Sequence, residues 1–262
     1  MTETAGPRPI DGVLLDIDGV LAVTWEPLPG AIETLSWMRD RDVPFRLITN
    51  TTTKTRADLA GTLRHAGFDV RDDELVTAVV ATAEHIRTRH RGAPCYVLSD
   101  GDATADLEGI DLVDVGSADL VVLGGASGDF TYATLNGIFQ RLMEGAELIG
   151  MHRNMYWRTS DGLQLDSGAY IAGLEEATGR RATICGKPSA EYFDAALAML
   201  GVPRDRALMV GDDIVNDVHG AQELGIAGAL VTTGKFLPAD LEKAPAPDHV
   251  LETIADLRTL LS

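Results

Sequence analysis

The feature that most constrains this chain is an alternation of short, wholly apolar runs of strand length with segments that carry apolar residues at helical spacing. A parallel sheet reads this way, because its crossover helices cover both faces and leave no polar side to the strands. Gly12–Leu15 and Pro44–Ile48 predict the first two strands, with helices over Ala31–Arg41 and Arg56–Ala66, the second ending at Gly67. Toward the other end, Ala207–Val210 and Ala227–Val231 predict strands, Val218–Leu224 a helix closed by Gly225, and Ile254–Leu261 a terminal helix. The stretch between has its own alternation: Tyr96–Leu98, Leu120–Leu123, a helix near Leu135–Met143, and Leu148–Gly150. That is enough to bury a separate core. The expectation is an α/β chain: a doubly wound, Rossmann-like parallel-sheet core from 1–78 and 185–262, with an α/β cap domain inserted over 79–184. One continuous larger sheet is the alternative.

Composition narrows the partners. Forty acidic residues against 22 basic ones give a formal charge of −18, which argues against nucleic acid or an anionic membrane as the main partner. Only four lysines occur, Lys54, Lys187, Lys235 and Lys243, so a lysine beside a candidate site carries more weight than usual. Cys95 and Cys185 each lie in an apolar stretch without metal-ligand spacing and read as core residues. No targeting segment is evident in Met1–Pro9, and no apolar run reaches the roughly 18 residues of a membrane helix. A cytoplasmic location is the expectation.

Four short motifs carry the chemistry. Asp16-Ile17-Asp18-Gly19-Val20 follows the first strand, and open parallel sheets bind ligands outside the carboxyl ends of their strands. Two acids one residue apart there can hold Mg²⁺ and divide the work of nucleophile and proton carrier; a strand ending in a solvated turn explains them as well. Thr49-Asn50-Thr51 follows the second strand and offers a hydroxyl, an amide and backbone N–H groups to phosphate; helix capping is the competing explanation. In Gly186-Lys187-Pro188, the proline restricts the direction of a cation suited to phosphate, although a surface lysine before a turn is commoner. In Gly211-Asp212-Asp213-Ile214-Val215-Asn216-Asp217, three carboxylates crowd one strand end; capping accounts for one acid, and a metal ion for three.

In this order the motifs DIDGV, TNT, GKP and GDDIVND resemble those of the haloacid dehalogenase superfamily, over nearly all of both core halves. The insertion between the second and third motifs resembles the subfamily of the p-nitrophenyl phosphatases and the nucleotide phosphatase of the N-acetylglucosamine operon. Within it, GDDIVNDVHGAQELGI, TTGKF and DGLQLDSGAYIAGLE are most similar to the branch that includes phospholysine phosphohistidine inorganic pyrophosphate phosphatase. The resemblance implies a phosphatase for small phosphorylated substrates. Asp16 would be the nucleophile and Asp18 the general acid and base. Thr49, Asn50, Thr51 and Lys187 would hold the phosphate, and Asp16, the Asp18 carbonyl and Asp212 would hold Mg²⁺, with Asp213 and Asp217 in support. It also implies a cap-mediated homodimer.

A dehalogenase on this fold would not need Asp18, since a halide leaves without a proton. A phosphomutase differs only in its product, and a non-enzymatic phospho-acceptor module usually carries its acceptor on a later strand. For substrate selection by the cap, the polar and aromatic run His152, Arg153, Asn154, Tyr156 and Trp157 is the candidate, with a loop packed on the cap's own core as the alternative.

Overall fold

The computed structural model describes residues 9–159 and 162–262. In chain order the first elements are β1 (Gly12–Asp16), the short pair β2 (Ala22–Val23) and β3 (Glu26–Pro27), α1 (Ala31–Asp40), β4 (Phe45–Thr49), α2 (Arg56–His65) and β5 (Leu75–Thr77). Then come α3 (Ala78–Arg89), β6 (Cys95–Leu98), β7 (Leu120–Leu123), α4 (Tyr132–Glu144), β8 (Glu147–Gly150), β9 (Tyr156–Thr159), β10 (Gly162–Leu165), α5 (Ser167–Thr178) and β11 (Thr183–Ile184). The last are α6 (Ala190–Leu200), β12 (Ala207–Gly211), α7 (Gly220–Glu223), β13 (Ala227–Val231), β14 (His249–Leu251) and α8 (Leu257–Leu260).

These elements form two compact units. The first comprises the described residues up to Thr49, Ala57–Val76 and Phe193–Ser262; the second comprises Asn50–Arg56 and Thr77–Tyr192. The first unit holds a six-stranded sheet in the order β14-β13-β12-β1-β4-β5. β1 lies parallel between β12 and β4, with Leu15 opposite Val210 on one side and Leu47 on the other. Every residue of β1 and β12 is buried. Apolar side chains withdrawn from water in this way stabilise the fold by about 1.5–3 kcal/mol each. From β1 the chain builds outward to β4 on one side, and the later strands add on the other, so the strand order reverses between β1 and β12.

The second unit has its own four-stranded parallel sheet, β11-β8-β7-β6, and a separate antiparallel hairpin, β9–β10. Its core gathers Val121, Leu123, Ile138, Leu142, Leu148 and Ile171. The single larger sheet is thereby excluded. Cys95 and Cys185 are buried and free, and burial pushes their thiols up to about 11 and about 12. No described helix is long and apolar enough to cross a membrane.

Two expected helices differ. In place of Val218–Leu224 there is a π-helical turn, Ile214–His219, closed by Val218 N–H donating to Asp213 O at 3.3 Å, followed by the four-residue α7. The terminal segment is a 3₁₀ turn, Ile254–Asp256, leading into the short α8.

Candidate active site

The first unit brings its acids together at the point where strand order reverses, which is where a parallel sheet leaves a crevice between diverging crossovers. Asp16 is the last residue of β1, and Asp212 directly follows β12. Asp16, Asp212 and Asp217 each offer a carboxylate oxygen, all within 4.8 Å of one another, and all three residues are buried. Three carboxylates this close in a low-dielectric setting repel strongly when ionised, and a cation held among them would offset that repulsion. The donors are hard oxygens, which suit Mg²⁺, Ca²⁺ or Mn²⁺ rather than a thiophilic metal.

Glycines make this approach possible. A Cβ on Gly19 would lie 2.0 Å from Asp212 Oδ2, and one on Gly234 would lie 2.1 Å from the same atom. Both have positive φ, +84° and +61°, which costs glycine nothing. The Lys235 N–H donates to Asp212 Oδ2 at 2.6 Å, and the Thr233 hydroxyl donates to the Gly19 carbonyl. Gly211 has a matching role: a Cβ there would lie 2.4 Å from Asp217 Oδ2, so its absence lets the π-helical turn fold Asp217 back over the strand end. Gly19→Ala is therefore expected to displace the Asp212 carboxylate and to destabilise the protein by about 1–3 kcal/mol. Thermal unfolding and metal titration of the variant check this; an unchanged Tm with unchanged metal affinity would contradict it.

The remaining acids of these motifs sit differently. Asp18 is exposed, on the turn where Gly19 N–H donates to Ala22 O at 2.8 Å. Asp213 caps the π-helical turn, accepting from the Val215 and Asn216 backbone N–H groups and from the Asn216 side chain. Burial pushes the Asp213 carboxyl up, but the Asn216 hydrogen bonds and the Lys235 charge outweigh it and hold it below the usual range. Asp217, expected in support alongside Asp213, lies with Asp16 and Asp212 in the carboxylate cluster.

Thr49 is buried at the end of β4. Helix α2 starts only at Arg56, so Thr51, Thr52 and Thr53 stand clear of its first turn. In the second unit, Thr52 Oγ1 accepts from Gly125 N–H at 3.1 Å. The Asn50 side chain forms two hydrogen bonds with the backbone of Lys187, a residue that is itself 7% exposed.

The run proposed for substrate selection is divided. Asn154 and Tyr156 are exposed, but His152 is 2% exposed. Its Nδ1 accepts from Asn154 N–H at 3.2 Å, its Nε2 faces Asp166 at 3.8 Å, and burial lowers its pKa against the opposing pull of Asp166. Arg153 is spent on Glu175, whose carboxyl is held down to about 2, chiefly by that pair. The Trp157 side chain lies outside the described residues.

Residues 13–113 match the family described as haloacid dehalogenase-like hydrolase, and residues 184–257 match a second, HAD-hydrolase-like family. The human haloacid dehalogenase-like hydrolase domain-containing protein 2 is 38% identical over 246 residues, covering 94% of this chain and 93% of that protein. The chain belongs to the haloacid dehalogenase-like hydrolase family. Human phospholysine phosphohistidine inorganic pyrophosphate phosphatase is 38% identical to this hydrolase over 88% of the chain and 86% of its own length. Among solved structures, p-nitrophenyl phosphatase from Archaeoglobus fulgidus superimposes with a TM-score of 0.89 at 26% identity, covering 97% of this chain and all of the other. NagD from E. coli K-12 gives 0.86 at 29% identity, covering 95% and 98%.

Sequence reasoning about this hydrolase missed the structural parts of Gly211, Gly234 and Gly186. A glycine against a carboxylate, as at Gly211 and Gly234, or against the Met151 carbonyl and the Asn50 amide oxygen, as at Gly186, is visible only once the chain has folded. The one signal in the sequence is that each sits beside a charged motif residue: Gly211 before the acid cluster, Gly234 before Lys235, and Gly186 before Lys187.

Proposed function

We propose that this hydrolase is a Mg²⁺-dependent phosphatase for small phosphorylated substrates, working through an aspartyl-phosphate. Residues 1–78 and 185–262 would form its hydrolase core and 79–184 its cap. The observation that carries this reading is the shared burial of Asp16, Asp212 and Asp217 at the reversal of strand order. The phosphatases among its relatives and structural neighbours support it.

In this scheme an Asp16 carboxylate oxygen attacks phosphorus in line, and the bond from phosphorus to the leaving oxygen breaks. Asp18 enters protonated and gives its proton to that oxygen. A water molecule then attacks phosphorus, Asp18 takes back a proton, and phosphate leaves with the Asp16 carboxylate restored. Exposure suits Asp18 to exchange protons with solvent, while burial of Asp16 keeps its carboxylate less hydrated. Thr49, Asn50, Thr51 and Lys187 would orient the phosphate. Asp16, the Asp18 carbonyl and Asp212 would hold Mg²⁺, with Asp217 beside them. When bound, the ion neutralises the carboxylates and phosphate oxygens that would otherwise repel each other.

Asn154 and Tyr156 are the proposed selectors of the leaving group. The test is a phosphate-release screen over sugar phosphates, nucleotides, pyrophosphate and phosphoamino acids, with and without Mg²⁺. Mg²⁺-dependent release is expected for at least one class. Replacing Asn154 and Tyr156 by Ala is expected to lower kcat/KM for the preferred substrate roughly tenfold while small phosphoesters change little. No release from any compound counts against the function, and an unchanged ranking in the double variant counts against the selectors.

A further inference from the structure

We infer that Asn50 is a positioning residue for Lys187: its side chain holds the lysine backbone, and its effect on the reaction passes through that lysine. The inference rests on the reading of Lys187 as the cation that orients phosphate. Both residues belong to the second unit. Lys187 N–H donates to Asn50 Oδ1 at 2.7 Å, and Asn50 Nδ2 donates to Lys187 O at 3.0 Å. One amide side chain thus pairs with both backbone groups of a single residue 137 positions away in sequence, as a neighbouring strand would. Its acceptor and one of its two N–H donors are engaged in doing so.

The surroundings are built for that pair. A Cβ on Gly186 would lie 2.9 Å from Asn50 Oδ1 and 2.4 Å from the Met151 carbonyl, so only glycine lets the amide and the β8–β9 connection approach this closely. Ser189 N–H donates to Gly186 O at 2.9 Å and closes the turn around Lys187. A lysine head group rides on a flexible four-carbon stem. Fixing its backbone from both ends therefore limits where the ammonium group can be, which is what a cation that must meet phosphate oxygens requires. The family resemblance suggested Asn50 as a phosphate ligand in its own right; the hydrogen bonds point to a role exercised through Lys187.

The two roles separate in a double-mutant cycle. Wild type, Asn50→Ala, Lys187→Ala and the double variant are compared for p-nitrophenyl phosphate hydrolysis with saturating Mg²⁺. Asn50→Ala is expected to lose roughly 10- to 100-fold in kcat/KM, as small misplacements of a catalytic group do. Lys187→Ala is expected to lose more, with the loss divided between kcat and KM in the same proportion. The double variant is expected to be no worse than Lys187→Ala within about twofold, because removing the lysine leaves Asn50 nothing to position. If the two losses multiply, Asn50 acts on the substrate independently and the inference is overturned. Wild-type activity in Asn50→Ala overturns it too. Wild-type activity in Lys187→Ala instead removes the reading of Lys187 itself, and the positioning role goes with it. Should Asn50→Ala fail to fold, Asn50→Asp runs the same cycle, since it keeps the acceptor for Lys187 N–H and loses the donor to Lys187 O.

Discussion

Asp16→Asn is expected to fold as the wild type does and to release phosphate at least about 10⁴-fold more slowly, the loss falling on kcat. The substitution keeps the size of the side chain and its fit at the end of β1, where the residue is 4% exposed. It exchanges the attacking oxygen for an amide that cannot form an acyl phosphate with the substrate. Asp18→Asn gives the contrast. It removes a proton carrier rather than a bond-forming atom, and a loss of roughly 10²- to 10⁴-fold is expected, smallest for substrates whose leaving oxygen needs no proton. Single-turnover measurement with acid quenching separates the cases: wild type accumulates acid-stable, alkali-labile protein-bound phosphate, and Asp16→Asn does not. Near-normal turnover by Asp16→Asn, or labelling that persists in it, removes the aspartyl-phosphate route and leaves the fold without its proposed nucleophile.

Much of this arrangement is legible in the order of the amino acids alone. The strands Leu120–Leu123 and Ala227–Val231 appear at their expected limits. β1, β4 and β12 each run one residue further than their apolar runs, taking in Asp16, Thr49 and Gly211. The hydrogen-bond ladder is indifferent to side-chain polarity, so Asp16 and Thr49 close their strands rather than following them, while Asp212 follows the Gly211 that closes β12. Helix α3 escapes a reading by pattern because its first two turns are buried all round: Ala78, Val79, Val80, Ala81, Thr82 and Ala83 show no polar face, and without one there is no helical period to read. Helix α5 carries Gly168 and Gly173 in its interior, which lowers its helical signal. Gly168 is there for contact, since a Cβ would lie 2.5 Å from the carbonyls of Arg153 and Asn154.

At the site, the acids are visible as residue types, but their division of labour is not. Asp213 and Asp217 are four positions apart, the spacing of a shared helical face, and both read as supporting residues. The π-helical turn separates them: Asp213 serves as its cap, while Asp217 turns back over Gly211 into the cluster. A widened turn of this kind has no composition of its own and follows from the hydrogen bonds that end it. His152 illustrates the opposite limit. A histidine in a polar and aromatic run suggests a surface, yet its ring is buried between Asn154, whose N–H donates to it, and the Asp166 carboxylate, 2 and 14 positions further along the chain.

Removal of the metal is expected to act on stability as well as on turnover, strongly in wild type and weakly in an acid-cluster variant. Two carboxylates about 4 Å apart repel by roughly 4 kcal/mol at the effective dielectric of a partly buried site, and Asp16, Asp212 and Asp217 present three such pairs when ionised. A divalent cation turns that repulsion into attraction. Mg²⁺ at a hundred times its Kd therefore stabilises the folded protein by about 2.7 kcal/mol, which for a chain of this size raises Tm by several degrees. Chelation with EDTA is expected to abolish phosphate release and to lower Tm to the metal-free value, and excess Mg²⁺ to restore both. Asp212→Asn removes one of the three charges while preserving the amide-sized fit between Gly19 and Gly234. Without metal it is expected to melt at or above the wild-type temperature, and with Mg²⁺ it is expected to gain little and to remain inactive. Calorimetry of both proteins with and without Mg²⁺ decides the matter. A wild type indifferent to EDTA, or an Asp212→Asn variant stabilised by Mg²⁺ as strongly as wild type, would mean that the buried carboxylates meet for some reason other than a cation.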